Sequence, residues 1–168
     1  MKSLLLPIHL VAAGTWLGCV LTEALFERAL LDKGPEQELL LAGLHKRVDL
    51  VVEMPAILVV LVTGAFLFQG AAPSALLHTK VAFGLLAIVA NAYCVWLVFR
   101  RFNQATAANW TAFARTDHLQ HKVGAVVLIG IVVALLIGLY LYGNEQDGVN
   151  SDIQPNNLGL PEYAVADI

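Results

Sequence analysis

Residues Leu50–Phe68 read LVVEMPAILVVLVTGAFLF, and this run decides the fold. It has about the 20-residue length that a helix needs to cross a hydrocarbon core. Inside lipid every backbone N–H and C=O must find its partner within the segment, so the run is a helix. Three more runs of the same kind, Leu4–Phe26, Ala75–Phe99 and Val123–Tyr142, take up most of the remaining chain. A hydrophobic fraction of 58%, a charged fraction of 14% and a mean hydropathy of +0.72 agree, since soluble domains lie far from these values. The expected fold is an all-α integral membrane protein, an antiparallel bundle of four transmembrane helices over residues 1–143. A polar, acidic and mostly irregular tail follows over residues 144–168.

Charge is distributed unevenly around these spans. Arg28, Lys33, Lys46 and Arg47 flank the first connection, and Arg100, Arg101, Arg115 and Lys122 flank the third. Lys2 and Lys80 lie toward the other side. The positive-inside rule then places both longer connections in the cytoplasm and both termini outside, in a multi-pass protein of the inner (cytoplasmic) membrane. Lys2 and the apolar run after it resemble a signal peptide, but no small-residue cleavage site follows, and the segment reads as the first span. Asp32-Lys33-Gly34-Pro35 is a turn, with Gly closing one helix and Pro opening the next. Ser74 is a natural N-cap for the third span. Gly14, Gly18, Ala87, Gly124 and Gly130 are small enough to let helices approach closely. Cys19 and Cys94 form no CxxC pair and read as core side chains.

Ionisable residues inside the spans point to function, because such groups are costly at membrane depth. On the first helix His9, Ala13, Trp16, Val20, Glu23 and Glu27 follow steps of three and four, a stripe that should face the interior. His9 is either an imidazole bonded to a neighbouring helix or a ligand to haem or metal. His78 and Lys80 are two residues apart and so point to nearly opposite sides of the third span. Lys80 shares a face with Phe83, Ala87, Asn91 and Cys94, which favours an inward side chain over one snorkelling to the headgroups. His78 is an interfacial His or a ligand. His9, His78 and Lys80 enter from one side at similar depth, and two His from different helices suit a six-coordinate haem. Lys80 suits the carboxylates of an anionic cofactor or substrate.

A second group lies toward the connections: Glu23, Glu27, His45, Asp49, Glu53, Asp117, His118 and His121. His118 and His121 are spaced i, i+3, so with His45 they form a candidate second site for a transition metal or a second haem. Glu23 and Glu53 are candidates for passing protons inward. Ion pairing with Lys46, Arg47, Arg100, Arg101 and Lys122 is the alternative for the whole group.

His9 is followed by Trp16-Leu17-Gly18, Lys46-Arg47 precedes Met54-Pro55-Ala56-Ile57-Leu58 and Thr63-Gly64, and Leu77-His78-Thr79-Lys80 opens the third span. In this order the chain resembles the bacterial four-helix HemJ-type protoporphyrinogen IX oxidases and, more distantly, CopD membrane domains. The resemblance covers about three helices of four. It implies haem b, with His9 on iron and Lys80 as ligand or substrate anchor, and a redox function that oxidises a tetrapyrrole and passes electrons toward quinone. Trp16, His78 and Asn91 would shape the pocket, and Lys80, Glu23 and Glu53 would be catalytic. The chain departs from that family with Ala24-Leu25 in place of Pro-Arg and His121-Lys122-Val123-Gly124 in place of Asn-Glu-x-Pro. No CxxCH is present for covalent attachment. The rival readings are an accessory subunit of a larger membrane complex, docked through residues 144–168, and copper handling. Nothing in the sequence points to nucleic acid.

Overall fold

The computed structural model describes the backbone of residues 2–152 and the side chains of residues 4–144. Along the chain lie α1 (Lys2–Leu30), α2 (Pro35–Val48), a π-helical turn (Asp49–Glu53), α3 (Met54–Gln69), α4 (Ala75–Thr106) and α5 (Trp110–Asp152). Because α2, the π turn and α3 form one unbroken rod, the helices make four passes: Leu4–Leu30, Pro35–Gln69, Ala75–Thr106 and Trp110–Asn144. Each is long and apolar enough to cross a membrane. Leu58, Val62, Leu85, Val89, Ile129 and Leu136 are all exposed, an arrangement stable against lipid and not against water. The chain is an all-α four-helix membrane bundle.

Local chemistry sets the turns. Gly34 takes φ 117°, and Pro35 follows at the start of α2. The Ser74 hydroxyl accepts from Leu77 N at 3.1 Å and caps α4. Asn109 caps α5 in the same way, its Oδ1 accepting from Ala112 N at 3.2 Å. Gly143 does not end α5, which continues to Asp152. A single Gly costs a helix about 1 kcal/mol, and with no Pro in the next turns the helix carries through. Residues 153–168, and with them most of the expected docking tail, lie outside the described residues.

The π turn also has a local cause. Pro55 has no N–H to bond the carbonyl four residues back, and its ring crowds that carbonyl. The helix widens just before it, and Met54 N–H reaches back five residues to Asp49 O. The widened turn carries both Asp49 and Glu53 into the interior.

The N-terminus and the 70–74 turn share one end of the bundle, here called the terminal end. The 31–34 and 107–109 connections share the other, the connection end. The second rod has 35 residues, about 50 Å at 1.5 Å per residue, against a hydrocarbon core of about 30 Å. The surplus lies at the connection end, where α2 packs against α4.

The tightest approach is between α4 and α5 at Gly130, where a Cβ would sit 2.9 Å from Ala87 Cβ and 3.1 Å from Phe83 O. Gly14, Gly18 and Gly124 meet open space instead, so they make no such approach. Their helix faces look outward, and small residues serve contact only where a partner backbone is opposite. Trp16, Ala56, Ile57, Ala87, Val127 and Ile131 form the main apolar cluster.

Candidate functional site

The apolar cluster separates two polar layers. On each pass its members fall between ionisable groups: Trp16 between His9 and Glu23, Ile57 between Glu53 and Thr63, Ala87 between Lys80 and Asn91.

On the terminal side, His9 Nδ1 lies 2.9 Å from Thr63 Oγ1. The Thr63 hydroxyl already donates to Val59 O at 2.6 Å, so its oxygen accepts and His9 Nδ1 carries the proton. In its neutral form the ring then presents Nε2 with a lone pair, the tautomer a metal ligand needs. Gly64 makes room for this ring: a Cβ there would stand 3.2 Å from His9 Cε1. Lys80 points inward and is half-buried. Gly138 of α5 makes space for it, since a Cβ there would lie 3.1 Å from Lys80 Cε and 3.2 Å from Nζ.

His78 does not join this layer. It is exposed, its Nδ1 bonds Ser74 O at 2.7 Å, and its ring meets Phe68 edge-on with centroids 5.9 Å apart. One turn into α4, its side chain is held by the cap of its own helix.

On the connection side of the cluster, Glu23 of α1 meets Asp49 and Glu53 of the π turn. One oxygen from each of these three carboxylates lies within 4.8 Å of the others. Asp49 and Glu53 are buried, and Asp49 is within hydrogen-bonding reach of both Glu23 and Glu53. Trp16 and Asn91 face Glu53, and both are buried.

A further turn outward lies an ion-pair layer centred on Arg101, which is 1% exposed. Its Nη1 donates to Glu27 Oε1 and to Gln120 Oε1, each at 3.2 Å, and its Nη2 stands 3.0 Å from Asp117 Oδ1. The ring of Phe113 covers its guanidinium at 4.9 Å. Because Gln120 Oε1 accepts from Arg101, its amide nitrogen is the group turned toward His45 Nδ1 at 3.4 Å. His45 Nε2 then carries the proton, which it directs to Glu23 O at 3.4 Å. His121 Nε2 meets Glu27 Oε2 at 2.7 Å.

The proposed second site is therefore assembled differently from its expected form. His45 and His121 both reach Glu27, but His118 is exposed on the far face of α5. The helical partner of His121 is Asp117, four residues back, rather than His118 at three. Glu27, Asp117 and His121 are close enough to hold a cation together. Of the charges expected at the interface, Arg101 is internal, whereas Lys46 stacks over Phe102 at 4.3 Å and Arg100 over Trp96 at 5.5 Å. Arg101 and Gln120 were missed as site residues. The signal for Arg101 was present: the inward face of Ala87, Asn91 and Cys94 continues in helical steps to Val98, Arg101 and Ala105.

Comparison with known proteins gives no match: no family model, no curated protein and no solved structure aligns with this chain.

Proposed function

We propose that the protein is a membrane-integral haem-b-binding redox protein, with His9 as iron ligand and Lys80 as partner of the carboxylates of the cofactor or substrate. The observation that carries this reading is the His9–Thr63 bond at 2.9 Å, which leaves Nε2 available as a donor to metal. The residues fit the group on this side: a tautomer-fixed imidazole, an inward ammonium entering from the same end, and Gly64 and Gly138, where an added Cβ would press on the two side chains. Bound haem would supply one-electron chemistry, and the chain's own part would be orientation and charge. With His78 turned away, His9 is the residue among those described on this side that would hold the iron. The resemblance to HemJ-type oxidases includes His9, Thr63-Gly64 and Lys80 among its residues, and His9 here meets Thr63 and Gly64 directly. In that reading a tetrapyrrole is the substrate, quinone the acceptor, and both termini lie outside the cytoplasm.

The test is a visible spectrum of the purified full chain in lipid nanodiscs, before and after dithionite. Reduced-haem bands are expected in the wild type and not in His9→Ala. Lys80→Arg should retain part of the binding and Lys80→Met should lose most of it if the Lys acts as a charge. Pure folded protein that carries no haem and takes up none on titration would overturn the assignment.

A further inference from the structure

Glu23, Asp49 and Glu53 present an electrostatic problem that the ion pairs do not solve. Among the described residues the salt bridges lie a turn further out, at Glu27 and Asp117. Three ionised carboxylates this close, with two of them 2% exposed, cannot persist without neutralisation. Either protons or a cation must supply it.

Two features favour protons. Asp49 is within hydrogen-bonding reach of both its neighbours, and a bond between two carboxyl groups needs a proton on one of them. On its other side Glu53 faces Trp16 Nε1 and Asn91 Nδ2, which have no other partner and belong to side chains 2% and 3% exposed. Both groups are N–H donors. They favour an anionic oxygen between them and would repel a cation. Cys19 and Cys94 complete the surroundings and carry no positive charge.

The connection side of the cluster adjoins the ion-pair layer. His45 packs between the two, its Nε2 3.4 Å from the backbone carbonyl oxygen of Glu23 and its Nδ1 3.8 Å from Glu27 Oε1. Glu27 meets His121, whose side chain is 39% exposed at the connection end. Toward the terminal end lies the apolar cluster.

We propose that Glu23, Asp49 and Glu53 form a shared-proton store inside the bundle, on the connection side of the apolar cluster. As the proton moves from one carboxyl oxygen to the next, one O–H bond breaks and another forms, and no electron moves. The store does not depend on haem at His9.

Infrared spectroscopy of the full chain in nanodiscs tests this. At neutral pH the wild type should show the C=O stretch of protonated, buried carboxyl groups, shifting on transfer to D2O. Asp49→Asn should remove or move that band while helicity by circular dichroism is retained. Absence of the band at neutral pH, or a wild-type band in Asp49→Asn, would overturn the proposal. So would stoichiometric Mn2+ binding that abolishes the band and is lost in Asp49→Asn, which would make the cluster a cation site.

Discussion

Arg101 of α4 and Glu27 of α1 meet at 3.2 Å across 74 residues of chain, and Asp117 of α5 closes on the same guanidinium at 3.0 Å. Three passes are thus tied at one buried cation. Arg101→Met would leave Glu27 and Asp117, 14% and 12% exposed, with only histidines as ion partners, at a cost of about 3–5 kcal/mol. Arg101→Lys should lose less but not recover fully, because a point charge cannot reach both partners as a planar fork does. Thermal unfolding in mild detergent reads both. Wild-type unfolding of Arg101→Met would show that the pairs contribute nothing.

Gly130 and Gly14 should respond in opposite directions to alanine. At Gly130 the added carbon meets Ala87 Cβ at 2.9 Å and backbone at 3.1 Å, so α4 and α5 must part, at about 1–3 kcal/mol. At Gly14 nothing lies within 4 Å, and the change should stabilise by up to about 1 kcal/mol through helix propensity. A pair of unfolding curves in the same detergent checks the sign of each.

Thr63→Val removes the acceptor that fixes the His9 tautomer and keeps the side-chain shape. Haem affinity should fall by about 10–100-fold with the fold unchanged. Gly64→Ala should weaken it too, by pressing on His9 Cε1 at 3.2 Å. Haemin titration of the purified variants measures both, and equal affinity in Thr63→Val would detach Thr63 from the site.

Ala108 holds φ 52° in the connection between α4 and α5, a region where a Cβ is unfavourable by about 1–2 kcal/mol. Asp32 holds φ 59° in the other connection, where an Asp side chain is better tolerated. Ala108→Gly should therefore raise the unfolding midpoint, offset in part by the entropy of a freer unfolded chain. A lower midpoint would mean that the turn relies on the Ala methyl.

The bundle and its inward face on α1 were legible because both follow from length and helical period. His9, Trp16, Glu23 and Glu27 lie inside as their spacing requires. What was not legible depended on partners from other passes. His118 and His121 look equivalent as a spaced pair, yet only His121 reaches Glu27, since α5 turns its Asp117–His121 face to α1. Arg101 beside Arg100 reads as one interfacial basic pair, but one residue of rotation, about 100°, puts Arg101 in the core and Arg100 against Trp96 outside. The gathering of Asp49 and Glu53 depends on a widened turn, and its one trace in the sequence is Pro55.

In an energised membrane the belt of Trp16, Ile57, Ala87, Val127 and Ile131 would act as the dielectric gap of a capacitor. The polar groups on either side are more polarisable, so the voltage drop concentrates across the belt. A unit charge crossing the whole drop is worth about 2.3 kcal/mol per 100 mV. A proton that reaches Glu53 from the connection end has crossed little of that drop, so the occupancy of the carboxylates follows the pH on that side and hardly responds to voltage. Electrical work would be done only by charge carried past Trp16 toward Lys80.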